Sequence, residues 1–359
     1  MHEPAPGRHA GAAPRIKMMA GRGGVLWHQG LTACRNGKKD KDMMRSLHFF
    51  DDLARTLARH PPMALGVVYP CSVPALQAAA RIVAQGMAVP TLIGPAAHMR
   101  QMAATAGIDL GGCMFVDVPT AEDAAHMGVQ MAHAGKVAAL MKGSLHSRIF
   151  LHELGHHEGG LRTTRRMSHV YVIDAPQAPR VLLVTDGAVN IAPEIEARRD
   201  IVQNSIDLGH MLGMPQPRVA LLSAVEMVNP ALQSTLDAAI LCKMAERGQI
   251  TGGIVDGPLA FDNAISPEAA RCKGVVSPVA GLADILVAPD LEAGNILAKQ
   301  MTFIGQAQAA GIVMGMRVPV ILTSRADPVP VRVLSCLVAA VMIRQGYGAS
   351  PVARMDQCG

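Results

Sequence analysis

The chain has 359 residues, and its 33 Lys+Arg against 28 Asp+Glu give a formal charge of +5 at neutral pH. Nine basic and three acidic residues lie within 1–45, so the excess belongs to that segment and the rest of the chain stands at −1, which excludes the broad basic surface of a nucleic-acid binder. Six Phe, three Tyr and one Trp are too few for a base-stacking platform or a membrane aromatic belt, and no run reaches the roughly 18 apolar residues of a membrane span.

Half of the residues are hydrophobic, enough for a large core, and the length suits about two domains. The seven cysteines are scattered and form no CxxC. A disulfide framework and a Cys-type zinc site are excluded, and a reducing cytoplasmic location is expected.

Residues 1–45 mix Pro, Gly, Arg and Ala without helical or strand period. They are expected to be a disordered basic tail or an extension foreign to the folded protein, with the natural start near Met43 and Met44. From Ser46 onward short apolar runs alternate with amphipathic stretches. The runs are Ala64–Tyr69, Val89–Ile93, Met114–Val118, Val137–Met141, Val170–Ile173, Val181–Thr185, Val219–Ser223, Gly253–Val255, Ile285–Ala288 and Val318–Thr323. Runs of this length suit strands buried on both faces. Between them stand helix signals: Ser72 as a cap with Pro74 in the first turn, Thr120-x-x-Asp123 as a capping box, and Pro193 before Glu194 and Glu196. Leu208, Met211 and Leu212 continue that last helix on one face. The alternation predicts an α/β architecture with mostly parallel strands, in which ligands meet the loops beyond strand C-terminal ends.

Three such loops are rich in polar groups. Lys142-Gly143-Ser144-Leu145-His146-Ser147 follows a strand, and its glycine and the next helix N-terminus suit an anion. An ordinary strand–helix turn with a solvated lysine is the plainer reading. Asp256-Gly-Pro-Leu-Ala-Phe-Asp262-Asn263 sets two carboxylates about an apolar stretch, either for proton transfer or as simple Asx turns. Thr323-Ser324-Arg325-Ala326-Asp327-Pro328 places a hydroxyl, a guanidinium and a carboxylate at a strand end, a phosphate cradle or an internal Arg325–Asp327 pair. The usual Gly-rich dinucleotide and nucleoside-triphosphate signatures are absent.

His152-Glu153-Leu154-Gly155-His156 is a literal H-E-x-x-H, the zinc-peptidase pattern when it lies on a helix. Gly159 fits the longer form of that pattern, but Arg162 stands where a third histidine belongs, so a ligand such as Glu194 would be required. A His-rich exposed helix end is the alternative.

Across residues 64–345 the loops fall into a familiar order: Leu140-Met-Lys-Gly143, Arg162-Thr-Thr-Arg165 with Ser168-His169-Val170, Val219 to Glu226, Ser234 to Ala239, Gly248-Gln-Ile250, Asp256 to Asp262, Val279 to Asp284, Pro289 to Asn295 and Leu322 to Asp327. In this order the chain resembles the phosphate acetyltransferase/phosphate butyryltransferase family, closest to its butyryltransferase-like branch and to the related domain joined to enoyl-CoA hydratases. The resemblance implies a two-domain α/β/α fold like that of isocitrate and isopropylmalate dehydrogenases, with the active-site cleft between the domains. On this reading 46–160 plus 313–359 form domain I and 161–312 form domain II. It implies reversible acyl transfer between CoA and inorganic phosphate (acyl-CoA + phosphate = acyl phosphate + CoA) with an acetyl or short-chain acyl group, by direct attack in a ternary complex.

The same resemblance implies a homodimer and no cofactor or metal. Ser324 and Arg325 map to the active site, Asp327 is the candidate base with Asp262 behind it, and Lys142, Gly143, Ser144, His146, Ser147, Asp256, Asp262, Glu292 and Asn295 are substrate-binding candidates. The chain departs from the acetyltransferase pattern at Val331, where a catalytic Asp is usual, and in lacking an Arg between Lys299 and Phe303. The competing functions are a non-catalytic CoA-binding partner of an enoyl-CoA hydratase and a zinc metallopeptidase through His152, Glu153 and His156.

Overall fold

Each expected apolar run becomes a strand, and an additional one joins them. The computed structural model describes residues 48–156 and 159–348, all of which belong to one unit, Met44–Gly359. The expectations for residues 1–45 and for the end of domain I beyond 348 lie outside the described residues.

In chain order the elements are α1 (Phe49–Leu57), β1 (Met63–Val68), α2 (Val73–Ala84), β2 (Ala88–Gly94), α3 (Ala96–Thr105), β3 (Met114–Asp117), α4 (Ala121–His133), β4 (Ala139–Lys142), α5 (Ser147–Leu154), β5 (Ser168–Asp174) and β6 (Leu182–Thr185). They continue as α6 (Ile195–Met211), β7 (Arg218–Leu222), α7 (Gln233–Glu246), β8 (Ile254–Leu259), α8 (Phe261–Ile265), α9 (Pro267–Cys272), β9 (Ile285–Val287), α10 (Leu291–Phe303), β10 (Gln308–Met314), β11 (Val320–Ile321) and α11 (Val329–Arg344). The eleven strands form one sheet in the order β3-β2-β1-β4-β11-β10-β5-β6-β9-β7-β8.

The strands β1 to β4 and β11 run parallel, as do β6, β9, β7 and β8, which is the expected pattern. At the centre β10 is antiparallel to both β11 and β5, and β5 is antiparallel to β6, so the two parallel sets run in opposite directions. The sequence reading lacked β10. Its Gln-Ala-Ala-Gly start has low β-propensity, and only pairing with β5 along its whole length makes it a strand. The boundary at 312/313 falls inside β10.

One face of the sheet carries a single continuous core. Leu65 and Val67 of β1, Ile312 of β10, Val170 and Val172 of β5, Leu183 of β6 and Val219 of β7 all pack there with α2, α6, α7 and α11. The opposite face carries two separate cores: Val68, Leu140, Val313, Val320 and Leu322 under α4 and α5, and Ile173, Val184, Ala220, Leu286 and Ala309 under α8 and α10. The division between them lies at β10 and β5 and positions the candidate site.

Caps hold the helices as read, with one exception. Thr120 accepts from the Asp123 amide at 3.1 Å and donates to its carboxylate at 2.6 Å. Ser72 makes no side-chain cap; its hydroxyl instead accepts from Ser144 Oγ at 2.8 Å. Among the described residues no helix is long and apolar enough to cross a membrane.

Candidate active site

Strand periodicity creates the crease between the two cores. With Val170 and Val172 of β5 committed to the continuous core, the alternate residues His169 and Tyr171 point to the opposite face. The His169 ring lies over Gly311 of β10, the register partner of Tyr171, where a Cβ would lie 2.9 Å from His169 Nε2 and 2.7 Å from the Leu322 carbonyl oxygen. Only glycine leaves room for the imidazole. His169 is fully buried, stacks edge-on against Tyr171 at 4.3 Å, and its Nε2 lies 3.2 Å from the Leu322 carbonyl oxygen. A carbonyl only accepts, so Nε2 carries the proton and Nδ1 presents a lone pair that meets no partner among the described residues. Burial pushes the His169 pKa down, against the opposing pull of Asp186, so the ring is neutral at physiological pH.

The loop after β4 borders this crease. Lys142 shares the sheet face of Leu140 and is 1% exposed, its ammonium donating to the carbonyls of Leu145 at 3.1 Å and Gly143 at 3.4 Å. Burial first, then repulsion from Arg332 and Arg325, lowers its pKa to about 8. Gly143 is required because a Cβ would lie 2.4 Å from the Val68 carbonyl oxygen. The Gly143 and Ser144 amides donate to the carbonyls of Val68 and Tyr69 at the β1 end, both at 2.8 Å, so these two amides are not free for an anion. The available groups lie further on. His146 is the N-cap of α5 without a side-chain cap bond, and His146 and Ser147 are exposed.

The turn after β11 is built by groups from three other elements. Asp327 is 7% exposed, and its two oxygens accept from the Ser324 amide at 2.7 Å and from Lys299 Nζ of α10 at 2.8 Å. The internal Arg325–Asp327 pair therefore does not form. Arg332 of α11, 2% exposed, donates to Thr323 Oγ1 at 3.0 Å, to the Ser324 carbonyl at 3.0 Å and to the Lys142 carbonyl at 3.5 Å. It ties the β4 and β11 loops together from below. With the backbone so held, the Ser324 and Arg325 side chains face solvent. Arg325 Nη2 approaches His146 Nδ1 at 3.4 Å, and among the described residues Arg325 has no carboxylate partner.

From the other side, α10 and the loop after β6 complete the arrangement. Asp186 accepts from the amides of Ala188, Val189 and Asn190 and from the Asn190 side chain at 2.6–3.1 Å, a saturated carboxylate that shapes the loop. Asn295 donates to the Gly187 carbonyl at 2.9 Å, and Lys299 follows one turn later on the same helix stripe as the exposed Glu292. Beyond the Lys299–Asp327 pair lies a cavity of 250 Å³ bounded by Tyr171, Ala298, Phe303, Ala309 and Val331. Val331, at the position of the missing catalytic Asp, is thus part of an apolar wall.

The structure brings Ser324, Arg325, Asp327, Lys142, Gly143, Ser144, His146 and Ser147 together, with Glu292 and Asn295 on the facing helix. It does not bring Asp256 and Asp262 to them. β8 is six strand spacings from β11, about 29 Å. Asp256 accepts from the Gly257 amide at 2.8 Å, and the exposed Asp262 accepts from the Asn263 amide at 2.9 Å and pairs with Lys273 at 3.1 Å, which lowers its pKa. Asp256 thus lies inside strand β8 and not in the expected loop, while Asp262 makes the local turn of the plainer reading. His169, Tyr171, Lys299 and Arg332 were not among the sequence candidates. The available signals were a histidine within an apolar strand and an arginine within an apolar helix.

The H-E-x-x-H segment does not adopt peptidase geometry. The helix α5 ends at Leu154 with Gly155 as its C-cap, so His152 and His156 do not share a continuous helical face. Glu153 lies between the imidazoles, 3.9 Å and 3.6 Å from them, where a ligand would sit and not a base acting on a metal-bound water.

Known proteins share this pattern. The family described as Phosphate acetyl/butaryl transferase matches residues 119–340. A phosphate acetyltransferase of Rhizobium meliloti is 52% identical over 81% of this chain and 92% of its own length. A phosphate butyryltransferase of Clostridium acetobutylicum is 41% identical over 75% of this chain and 89% of its own. Among solved structures, a branched-chain phosphotransacylase from Enterococcus faecalis V583 superposes with a TM-score of 0.69 at 29% identity, covering 78% of this chain and 99% of its own.

Proposed function

This chain belongs to the phosphate acetyl/butyryltransferase family, and from that premise we propose that the crease is its active site for acyl-CoA + phosphate = acyl phosphate + CoA. The observation that carries the assignment is Arg325. It is exposed, without a carboxylate partner among the described residues, and it converges with His146 on the N-terminus of α5. Phosphate is held by the Arg325 guanidinium, the Ser324 hydroxyl and the amides opening α5, with the Lys142 ammonium behind them. A phosphate oxygen attacks the thioester carbon while both substrates are bound, the carbon–sulfur bond breaks, and CoA leaves as its thiolate. No covalent enzyme intermediate and no cofactor enters this scheme.

Asp327, first considered as base, already accepts through both oxygens and is assigned to positioning the Ser324–Arg325 turn. Asp262 is on the far edge of the sheet. The thiol proton of the reverse reaction is therefore assigned to His146, the titratable side chain next to Arg325. The acyl chain takes the 250 Å³ cavity beside Tyr171 and Val331, which accommodates a short chain. The crease is read as the cleft between domain I (46–160 with 313–359) and domain II (161–312) of a dehydrogenase-like two-domain fold. A homodimer formed through domain II suits the exposed Ile191, Met227 and Val276 of that half.

The test is CoA release from acetyl- to hexanoyl-CoA by the purified chain, with and without phosphate. Phosphate-dependent release is expected. Its absence with every acyl-CoA would overturn the assignment in favour of a CoA-binding protein without turnover.

A further inference from the structure

The site just described does not use the histidine cluster of α4 and α5. Glu153 is surrounded by imidazoles from both helices. His156 Nε2 and His152 Nδ1 lie 3.6 Å and 3.9 Å from its Oε1, and His126 Nδ1 lies 3.3 Å from Oε2. Carboxylates elsewhere, such as Asp207 with Arg165 and Asp262 with Lys273, have a permanent cation. Glu153 has no Lys or Arg partner among the described residues, although its side chain is only 21% exposed.

We propose that His152, Glu153 and His156 form a zinc site, with His126 holding the second carboxylate oxygen and water taking the open position. One ligand atom from each of the three lies within 4.8 Å of the others. A tetrahedral ion with bonds of about 2.1 Å needs ligand atoms about 3.4 Å apart; the separations from Glu153 Oε1 are 3.6 Å and 3.9 Å, and the two histidine rings are exposed and free to rotate toward each other. Two imidazole nitrogens and a carboxylate select Zn²⁺ over Mg²⁺, which demands an oxygen cage. The two imidazoles pack edge to face, 4.7 Å between centroids at 86°. The role is that of a staple, not a peptidase centre. The ion closes the C-terminal turn of α5 and fixes Glu153, whose second oxygen meets His126 of α4 at 3.3 Å, while the N-terminal end of α5 carries Ser147 at the crease.

The experiment is zinc titration of the full chain by calorimetry and thermal unfolding, with the His152→Ala/His156→Ala double variant, Glu153→Gln and His126→Ala. The wild type is expected to bind one zinc at this site and to melt several degrees higher with it. The double variant should lose that binding event and its thermal shift. His126→Ala should weaken affinity about tenfold or more, as loss of an outer partner does. Histidines elsewhere bind equally in both proteins and cancel in the comparison. Metal-free CoA release should be equal in wild type and double variant, since neither residue touches the crease. Identical zinc stoichiometry and affinity in wild type and double variant would overturn the proposal, as would a magnesium response equal to that of zinc.

Discussion

The loops after β11 and after β8 look alike as sequence: each follows an apolar strand, each carries a carboxylate, and each matches a family segment. In the folded chain they differ in what holds them. The β11 turn is fixed by Lys299 from α10, by Arg332 from α11 and by its own Asp327, leaving Ser324 and Arg325 turned outward. The β8 loop closes on itself through Asp262 and Asn263, with Lys273 as its ion-pair partner. The first leaves the Arg325 guanidinium exposed and without a carboxylate partner among the described residues, whereas the second satisfies its charge locally. Position in the sheet separates them, because β11 borders the antiparallel centre and β8 is an outer edge.

The sharpest test of the contrast is Arg325→Ala. Losing one preorganised donor to a developing anion is expected to lower phosphate-dependent CoA release by about 100- to 1,000-fold, with the melting temperature unchanged. Unaltered phosphorolysis would remove Arg325 from the site. Next in size is Lys299→Met, which leaves the buried Asp327 without its cation and should cost about 3 kcal/mol in urea unfolding. Adding Asp327→Asn should recover part of that loss, because the amide oxygen still accepts from Ser324. Arg332→Met deprives Thr323 and the Ser324 carbonyl of their buried donor; a loss of about 2 kcal/mol is expected, together with a raised KM for phosphate.

Lys142 supplies a pH test. Its folded pKa, about 8, lies below the ordinary 10.5, so between those values the unfolded chain binds more protons than the folded one. Its contribution to stability therefore rises with pH through that window, and urea unfolding of Lys142→Met should lose this component. The smallest effect is expected of Asp262→Ala, which should leave turnover and melting temperature within assay error. A large loss of turnover would place the β8 loop at the reaction after all.

Much of this contrast could be read before folding. Lys142, His146, Ser324 and Arg325 stand in loops directly after apolar runs, and a parallel α/β sheet brings such loops to one end. His169 and Lys299 were not legible in the same way. His169 looks like part of an apolar strand until Gly311 is placed under its ring, and Lys299 looks like a solvated helix residue until α10 crosses to Asp327. Asp327 looked like a free carboxylate for the same reason: both of its donors come from backbone geometry or from distant sequence.

The chain's own residues determined the alternation of strands and helices, the loops at strand ends and the family, because periodicity and turn chemistry are local properties repeated along the sequence. Tertiary structure alone decided the reversal of direction at β10 and β5, the crease that His169 and Tyr171 enter, and the separation of Asp262 from Arg325. Strand order and register depend on pairings between residues more than a hundred positions apart, such as Gln308 with Asp174. The free energy of those pairings comes from burying both partners together, so neither segment carries it alone.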